Sequence, residues 1–136
     1  MLNTVQIKEK INQAGERLTP QRIEILKYLR SVTCHPTAEI IYTEVKKNIP
    51  TISLGTIYRN LIYLVTKGYI IQFQNNDNIT CYDGNPKDHI HFICQKCNKV
   101  HDIFETPTID KAKFDKLGII NKVEYKVFGV CTECNQ

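Results

Sequence analysis

The sequence has no apolar run longer than a few residues, so no segment is long enough to cross a lipid bilayer. Its first residues also lack the apolar core of a secretion signal, and we expect a cytoplasmic protein with no membrane partner. Internal repeats and low-complexity tracts are absent. The formal net charge is only +4, which permits but does not demand binding to a polyanion, and a hydrophobic fraction of 42% argues against disorder.

The 136 residues suffice for one domain or two very small ones. Residues 5–14 have a helical pattern, and Thr19-Pro20 is an N-cap followed by proline at the first helical position. Further helices are predicted over residues 38–47 and after Ser53, up to Gly68. The period then changes to that of two strands, residues 69–74 and 79–82, around a polar turn. The three compact helices that directly precede the hairpin predict, together with it, a winged helix-turn-helix.

The remainder of the chain has a different pattern. Residues 83–88 are typical of a linker, and strands are predicted over residues 89–94, 100–105 and 122–130, with a short helix near 110–117. We therefore expect an α+β protein with a domain over residues 1–83 and a smaller α/β domain over residues 84–136.

Four of the six cysteines form two Cys-x-x-Cys pairs, Cys94/Cys97 and Cys131/Cys134. In a chain without a secretion signal this spacing favours metal ligation over disulfides. Four thiolates close a tetrahedral zinc site and leave no position open for a substrate. The sequence therefore predicts structural Zn²⁺, one ion per subunit, at the ends of two strands.

The other two cysteines, Cys34 and Cys81, are interpreted as buried and inert thiols. Because Cys34 is adjacent to His35, a redox role for it stays open.

Histidine is scarce, with four in the chain. His89 and His91 alternate on one predicted strand, so their side chains face the same side. Asp83 lies just upstream and Asp102 begins the next strand, whereas the parity of His101 places it on the opposite face from Asp102. Imidazoles with carboxylates suit Fe²⁺ or Mn²⁺ as well as Zn²⁺. Sequence spacing alone does not place His35 in this group.

The helix after Ser53 has an apolar stripe of Leu54, Ile57, Leu61 and Leu64. Its opposite face carries Gly55, Thr56, Arg59 and Tyr63, which would suit contact with DNA. A solvated surface is the alternative for such a face. The helical wheel places Tyr58 at the flank.

Two other functional classes fit parts of the pattern. A metallohydrolase would use His89, His91 and the carboxylates, but no separate general base stands out, and we expect no enzyme. A zinc-ribbon interaction module would not need the polar face that carries Thr56 and Arg59.

Nearly the whole chain resembles the ferric-uptake-regulator (Fur) superfamily. The resemblance is carried by Arg17-Leu18-Thr19-Pro20-Gln21-Arg22, His35-Pro36-Thr37-Ala38, residues 51–61, Cys81-Tyr82-Asp83, His89-Ile90-His91 and both cysteine pairs. It implies a homodimer whose first domain binds a pseudo-palindromic double-stranded operator and whose second domain dimerises. It also implies a regulatory Fe²⁺ or Mn²⁺, one per subunit, held by His35, Asp83, His89, His91 and Asp102. DNA contacts are expected from Arg17, Thr56, Tyr58 and Arg59.

Within the superfamily, an aspartate at position 102 is similar to the peroxide regulators (PerR), because iron-uptake regulators carry glutamate there. The chain also has no histidine after His101. The resemblance thus implies a repressor that senses hydrogen peroxide through metal-catalysed oxidation of the histidines at positions 35 and 89. An iron- or manganese-responsive repressor of metal homeostasis is the alternative.

Overall fold

A computed structural model describes residues 4–136 of the chain. The described chain divides into two compact units, one that ends at Lys87 and a second that comprises Asp88–Gln136. The boundary predicted from the sequence lies four residues earlier, directly after Asp83, which is the last residue of a strand of the first unit. No helix among residues 4–136 combines the length and the apolar character needed to span a membrane.

The first unit contains four helices, α1 (Thr4–Gln13), α2 (Pro20–Ser31), α3 (Ala38–Lys46) and α4 (Leu54–Thr66). The predicted cap at Thr19 is confirmed, because its side chain accepts a hydrogen bond from a backbone N–H group in the first turn of α2. The side chains of Thr37 and Ser53 cap α3 and α4 in the same way. The helices surround one apolar core. Its fully buried members include Ile7, Ile11, Ile25, Leu26, Ile41, Ile57, Leu61 and Leu64.

Two antiparallel strands, β1 (Ile71–Gln74) and β2 (Thr80–Asp83), complete this unit as the wing. Gly68, which follows α4, has a φ of 79°, the left-handed conformation that glycine adopts most readily at a helix end. Phe73 faces inward and is 3% exposed, whereas Gln74 is exposed, as the predicted alternation requires. The winged helix-turn-helix arrangement is therefore confirmed.

The second unit is built on a three-stranded sheet in the order β4-β3-β5, with β3 at Ile90–Cys94, β4 at Val100–Ile103 and β5 at Lys126–Gly129. The strand β3 pairs with β4 in antiparallel fashion and with β5 in parallel fashion. The observed strands are shorter than predicted, most of all β5, and the predicted second-unit helix is a 3-10 turn at Lys111–Phe114.

Candidate metal centres and nucleic-acid interface

The parallel pairing of β3 and β5 explains how the two cysteine pairs meet. Parallel strands end at the same edge of a sheet, and Cys94 lies opposite Gly129 in the register. The turn after each strand then carries the remaining cysteines. As a result, one sulfur atom from each of Cys94, Cys97, Cys131 and Cys134 lies within 4.8 Å of all the others.

The distances between the sulfur atoms fit a tetrahedral zinc ion. The sulfurs of Cys97 and Cys131 are 3.8 Å apart, far longer than a disulfide bond of about 2.0 Å. Zinc–sulfur bonds of about 2.3 Å separate the corners of a tetrahedron by roughly 3.8 Å. The backbone N–H of Cys131 also donates to the sulfur of Cys94 at 3.4 Å. The cluster therefore suits a structural zinc ion and leaves no position for catalysis.

The protonation of these thiols also argues for a cation. Backbone N–H groups of Cys131 and Cys97 lower the pKa of Cys94 to about 6. In contrast, hydrogen bonds with the sulfurs of Cys131 and Cys97 raise the pKa of Cys134 to about 12. Four ionised sulfurs this close together repel one another, and a divalent ion would relieve that repulsion and hold all four as thiolates.

The first unit brings together one imidazole and one carboxylate. His35 Nε2 lies 3.3 Å from Asp83 Oδ2, and both side chains are buried. The chain before α3 pairs with the edge of β2. Tyr82 N–H donates to the Pro36 carbonyl at 2.9 Å, and Thr37 forms an isolated antiparallel β-bridge with Cys81. This pairing places His35 beside the end of β2.

Local backbone geometry holds this pair in place. His35 has a φ of 52°, a left-handed conformation that is uncommon for a residue other than glycine and that occurs at functional sites. The other oxygen of Asp83, Oδ1, accepts a hydrogen bond from Asn85 N–H at 2.9 Å. A Cβ on the intervening Gly84 would lie 2.7 Å from the Leu29 carbonyl oxygen, so the chain after Asp83 passes α2 at a distance that only glycine permits.

The second unit brings together two imidazoles and a carboxylate. His89 Nε2 and His91 Nε2 approach Asp102 Oδ1 to 3.2 and 3.4 Å, and both histidines are 4% exposed. The antiparallel register pairs His91 with Asp102. Ligand atoms bonded at about 2.1 Å to one ion lie about 3 Å apart when they are neighbours. Imidazole nitrogen and carboxylate oxygen suit Fe²⁺ or Mn²⁺.

His101 lies outside this group, as predicted from its parity in the strand. It is exposed, it pairs with Phe92 in the register, and the centroids of the two rings are 6.4 Å apart.

The two cysteines outside the zinc cluster differ from each other. Cys81 is buried, and its burial raises the pKa of its thiol. Cys34 is exposed, so the prediction of a buried thiol at that position was wrong.

The polar face of α4 carries most of the predicted DNA contacts. Arg59 is exposed and donates to Thr56 Oγ1 at 3.0 Å, while Ile57, Leu61 and Leu64 are fully buried. Tyr58 is 39% exposed, and its hydroxyl donates to Glu39 Oε1 on α3 at 2.8 Å. Tyr58 and Arg59 are therefore exposed next to each other. The helical wheel places Tyr58 only at the flank of the polar face.

Tyr63 shares this face, but its side chain is packed against other residues and is partly buried. Its ring is partly buried against the core, the guanidinium of Arg22 stacks 3.5 Å from its centroid, and its hydroxyl donates to Glu16. Burial and the bond to Glu16 raise the pKa of Tyr63 to about 12. Seven steps of 100° bring Tyr63 back to the direction of Thr56, so the helical wheel places it correctly. The wheel does not include α2, whose Arg22 stacks on the ring.

Arg17, the remaining predicted DNA contact, precedes α2 and is exposed. Arg22 fixes the backbone there, because it donates to the Arg17 carbonyl at 2.8 Å and to Asn60 Oδ1 on α4 at 3.1 Å. The loop of Arg17 and the helix of Arg59 are therefore connected through one guanidinium. Arg22 and Asn60 were not among the predicted site residues, although Arg22 belongs to the motif that carries Arg17.

Comparison with known proteins assigns this architecture to a family. The model of the ferric uptake regulator family matches residues 13–128. The chain belongs to the ferric uptake regulator family. The sequence-based family assignment is thereby confirmed.

Among relatives in this family, the peroxide-responsive repressor PerR of Staphylococcus epidermidis is 35% identical over 134 residues, which cover 93% of this chain and 86% of the relative. A crystal structure of the Campylobacter jejuni peroxide stress regulator matches with a TM-score of 0.68 and 29% identity, and covers 98% of this chain and 100% of that chain. The Helicobacter pylori ferric uptake regulator Fur matches at a TM-score of 0.73 and 23% identity, over 97% and 91% of the two chains, and supports the fold.

Proposed function

We propose that the protein is a cytoplasmic, homodimeric, metal-dependent DNA-binding repressor that responds to hydrogen peroxide. The observation that carries the proposal is the convergence of buried His89 and His91 on Asp102, without a thiolate among the donors. An aspartate is the carboxylate here, and the relatives at 35–36% identity are peroxide-responsive repressors by name.

One regulatory ion would be held by His35 and Asp83 of the first unit together with His89, His91 and Asp102 of the second. The donor chemistry of each group supports this, and so does membership of the family, whose ligand pattern these positions match. An ion bonded to residues of both units would restrain the linker between them, and its loss would release that restraint. Metal would thereby favour the state that binds DNA.

Bound Fe²⁺ would supply the electron that splits hydrogen peroxide beside the imidazoles. The part played by the protein is to keep the histidines buried around the ion and to exclude more easily oxidised thiols from its donor set. His35 and His89 would be the targets, and an imidazole that has gained oxygen donates more weakly to a metal. Ligand loss would then release metal and DNA.

The first unit would bind DNA through α4 and the Arg17 loop. Arg59 would bond guanine edges or phosphates, with Thr56, Tyr58 and Arg17 as further contacts. Two reading helices in a homodimer would then require a pseudo-palindromic operator with half-sites about one helical turn apart.

Dimerisation through the second unit is supported by its surface. Large apolar side chains are exposed along and beside the sheet, more than a small solvated module presents, and they include Phe104, Leu117, Ile119, Val127 and Phe128. A second copy of the chain would cover them.

The proposal is tested with purified protein loaded with Mn²⁺ and a random library of DNA duplexes. We expect the protein to enrich one pseudo-palindromic sequence, the selected duplex, over a scrambled duplex of the same length and composition. Removal of Mn²⁺ should abolish the preference, and light scattering should report a dimer. A protein that is monomeric, or that binds both duplexes equally with and without metal, would rule out this function. Release of DNA by iron depletion without any response to peroxide would instead identify a metal-homeostasis repressor.

A further inference from the structure

The proposed reading surface contains an acidic residue that DNA binding alone does not explain. Glu39 lies in the first turn of α3, is exposed, and accepts the hydroxyl of Tyr58 through Oε1 at 2.8 Å. Arg59 and Thr56 occupy the adjacent positions on α4. A carboxylate at such a surface repels every phosphate of an approaching duplex, whichever sequence the duplex carries.

Both partners of this hydrogen bond sit on rigid backbone. Ala38, next to Glu39, is 3% exposed, and Thr37 caps the helix by accepting Ile40 N–H at 3.4 Å. Tyr58 follows Ile57, which is fully buried. The bond therefore joins the first turn of α3 to the reading helix and fixes the outer end of a tyrosine ring, which has few other constraints because it is 39% exposed.

The protonation states are consistent with a persistent bond. Donation by the Tyr58 hydroxyl lowers the pKa of Glu39, so the carboxylate is charged at neutral pH. The same bond raises the pKa of Tyr58, which keeps its proton as the donor.

We propose that Glu39 is a specificity-determining residue of the reading surface, where it orients Tyr58 toward the bases and weakens binding to any DNA backbone. This inference rests on the proposed function, since it takes α4 as the reading helix. The carboxylate lowers affinity for all duplexes through its charge. Its hydrogen bond keeps the tyrosine in one orientation, so the contacts that the ring makes favour one sequence.

A simpler explanation is that Glu39 only stabilises α3, because acidic side chains are favourable in the first turn of a helix. That explanation predicts a change in thermal unfolding and no change in the choice between duplexes. The two explanations therefore differ in a quantity that can be measured.

The experiment compares variants of the Mn²⁺-loaded protein on the selected and the scrambled duplex at fixed salt. Glu39→Gln removes the charge and keeps an oxygen that accepts from Tyr58. It should tighten binding to both duplexes by a similar factor, on the order of two- to fivefold at low salt, and leave their ratio unchanged. Glu39→Ala removes charge and acceptor, and the ratio should fall by roughly three- to tenfold.

Two further variants make the result specific. In a Tyr58→Phe background, Glu39→Ala should not lower the ratio further, because the hydroxyl that it holds is gone. Glu44→Gln removes a charge from the same helix, where the carboxylate is paired with Lys47 at 3.0 Å, and should change neither affinity nor ratio appreciably.

The inference is overturned if Glu39→Ala keeps the wild-type ratio, or if it lowers the ratio equally with and without the Tyr58 hydroxyl. Failure of the proposed function looks different, because wild-type protein would then prefer neither duplex. Circular dichroism of each variant verifies that α3 and α4 are folded, and Glu39→Gln provides the charge result even where Glu39→Ala is destabilised.

Discussion

Removal of one zinc ligand, by Cys131→Ser, should unfold the second unit and leave the first one folded. The fully described second unit has a very small apolar core, in which Ile93 is the one buried hydrophobic residue besides the cysteines Cys94 and Cys131. Burial of an isoleucine contributes about 2–3 kcal/mol, whereas zinc binding by four thiolates contributes about 10–16 kcal/mol. A module this small cannot replace that contribution with apolar contacts. The free energy lost with the zinc ion should therefore exceed the free energy of unfolding of the second unit.

Three measurements test this prediction for the Cys131→Ser protein. Elemental analysis should show zinc absent from the Cys131→Ser protein, and light scattering should show loss of the stable dimer. Amide hydrogen exchange should show β3 and β5 unprotected while α2, α3 and α4 keep their protection. Cys81→Ser is the matched control, because it alters a buried thiol of the first unit and should retain zinc. A zinc-free Cys131→Ser protein with protected strands and a stable dimer would refute the reasoning.

Three further substitutions test the reading surface and the regulatory donors. Arg59→Ala should weaken binding to the selected duplex by about 5- to 150-fold without unfolding, as expected for a lost guanine contact of about 1–3 kcal/mol. Unchanged affinity in a gel shift would remove Arg59 from the interface. Asp102→Glu keeps the charge but moves the carboxylate relative to His89 and His91. The Mn²⁺ form should still bind DNA, while the Fe²⁺ form should respond less to peroxide. An unaltered peroxide response would argue against a role for Asp102 in sensing. Gly84→Ala should destabilise the first unit by about 1–3 kcal/mol and weaken Mn²⁺ binding, because the new Cβ would lie 2.7 Å from the Leu29 carbonyl oxygen; an unchanged melting temperature and Mn²⁺ affinity would show that the chain after Asp83 can shift freely.

Local sequence signals predicted the elements of the fold well. Thr19-Pro20, Thr37 and Ser53 each cap the helix that was expected to follow them, because capping depends on residues within one turn. The pairing partner of β5 could not be obtained in this way. Parallel pairing with β3 joins residues more than thirty positions apart, and no local pattern specifies it.

The candidate metal site could be predicted only in part, because local patterns do not specify contacts between distant residues. Alternation along one strand grouped His89 with His91, and Asp102 follows in the next strand, so the donor set of the second unit was accessible from sequence. His35 could be assigned to the site only from the family resemblance. Its approach to Asp83 depends on the hydrogen bond between the Pro36 carbonyl and β2, which no local pattern predicts.

Two features of the reading surface were missed because they are contacts between helices. The helical wheel places Tyr63 on the reading face, but it does not include Arg22 of α2, which stacks on the ring. The bond between Tyr58 and Glu39 was missed for a related reason, because it joins two helices. Cys34 was expected to be buried from the general behaviour of free cysteines, but it lies in the exposed segment before α3.

The most direct test of peroxide sensing is peptide mass spectrometry after a brief exposure of the Fe²⁺-loaded protein to hydrogen peroxide. We predict one added oxygen on His35 or His89, in parallel with release of the selected duplex, and protection when Mn²⁺ occupies the site. Thiol oxidation is the competing chemistry, and it would not depend on iron. Equal release of DNA from the Mn²⁺ and Fe²⁺ forms, with oxygen added only to cysteines, would contradict the account.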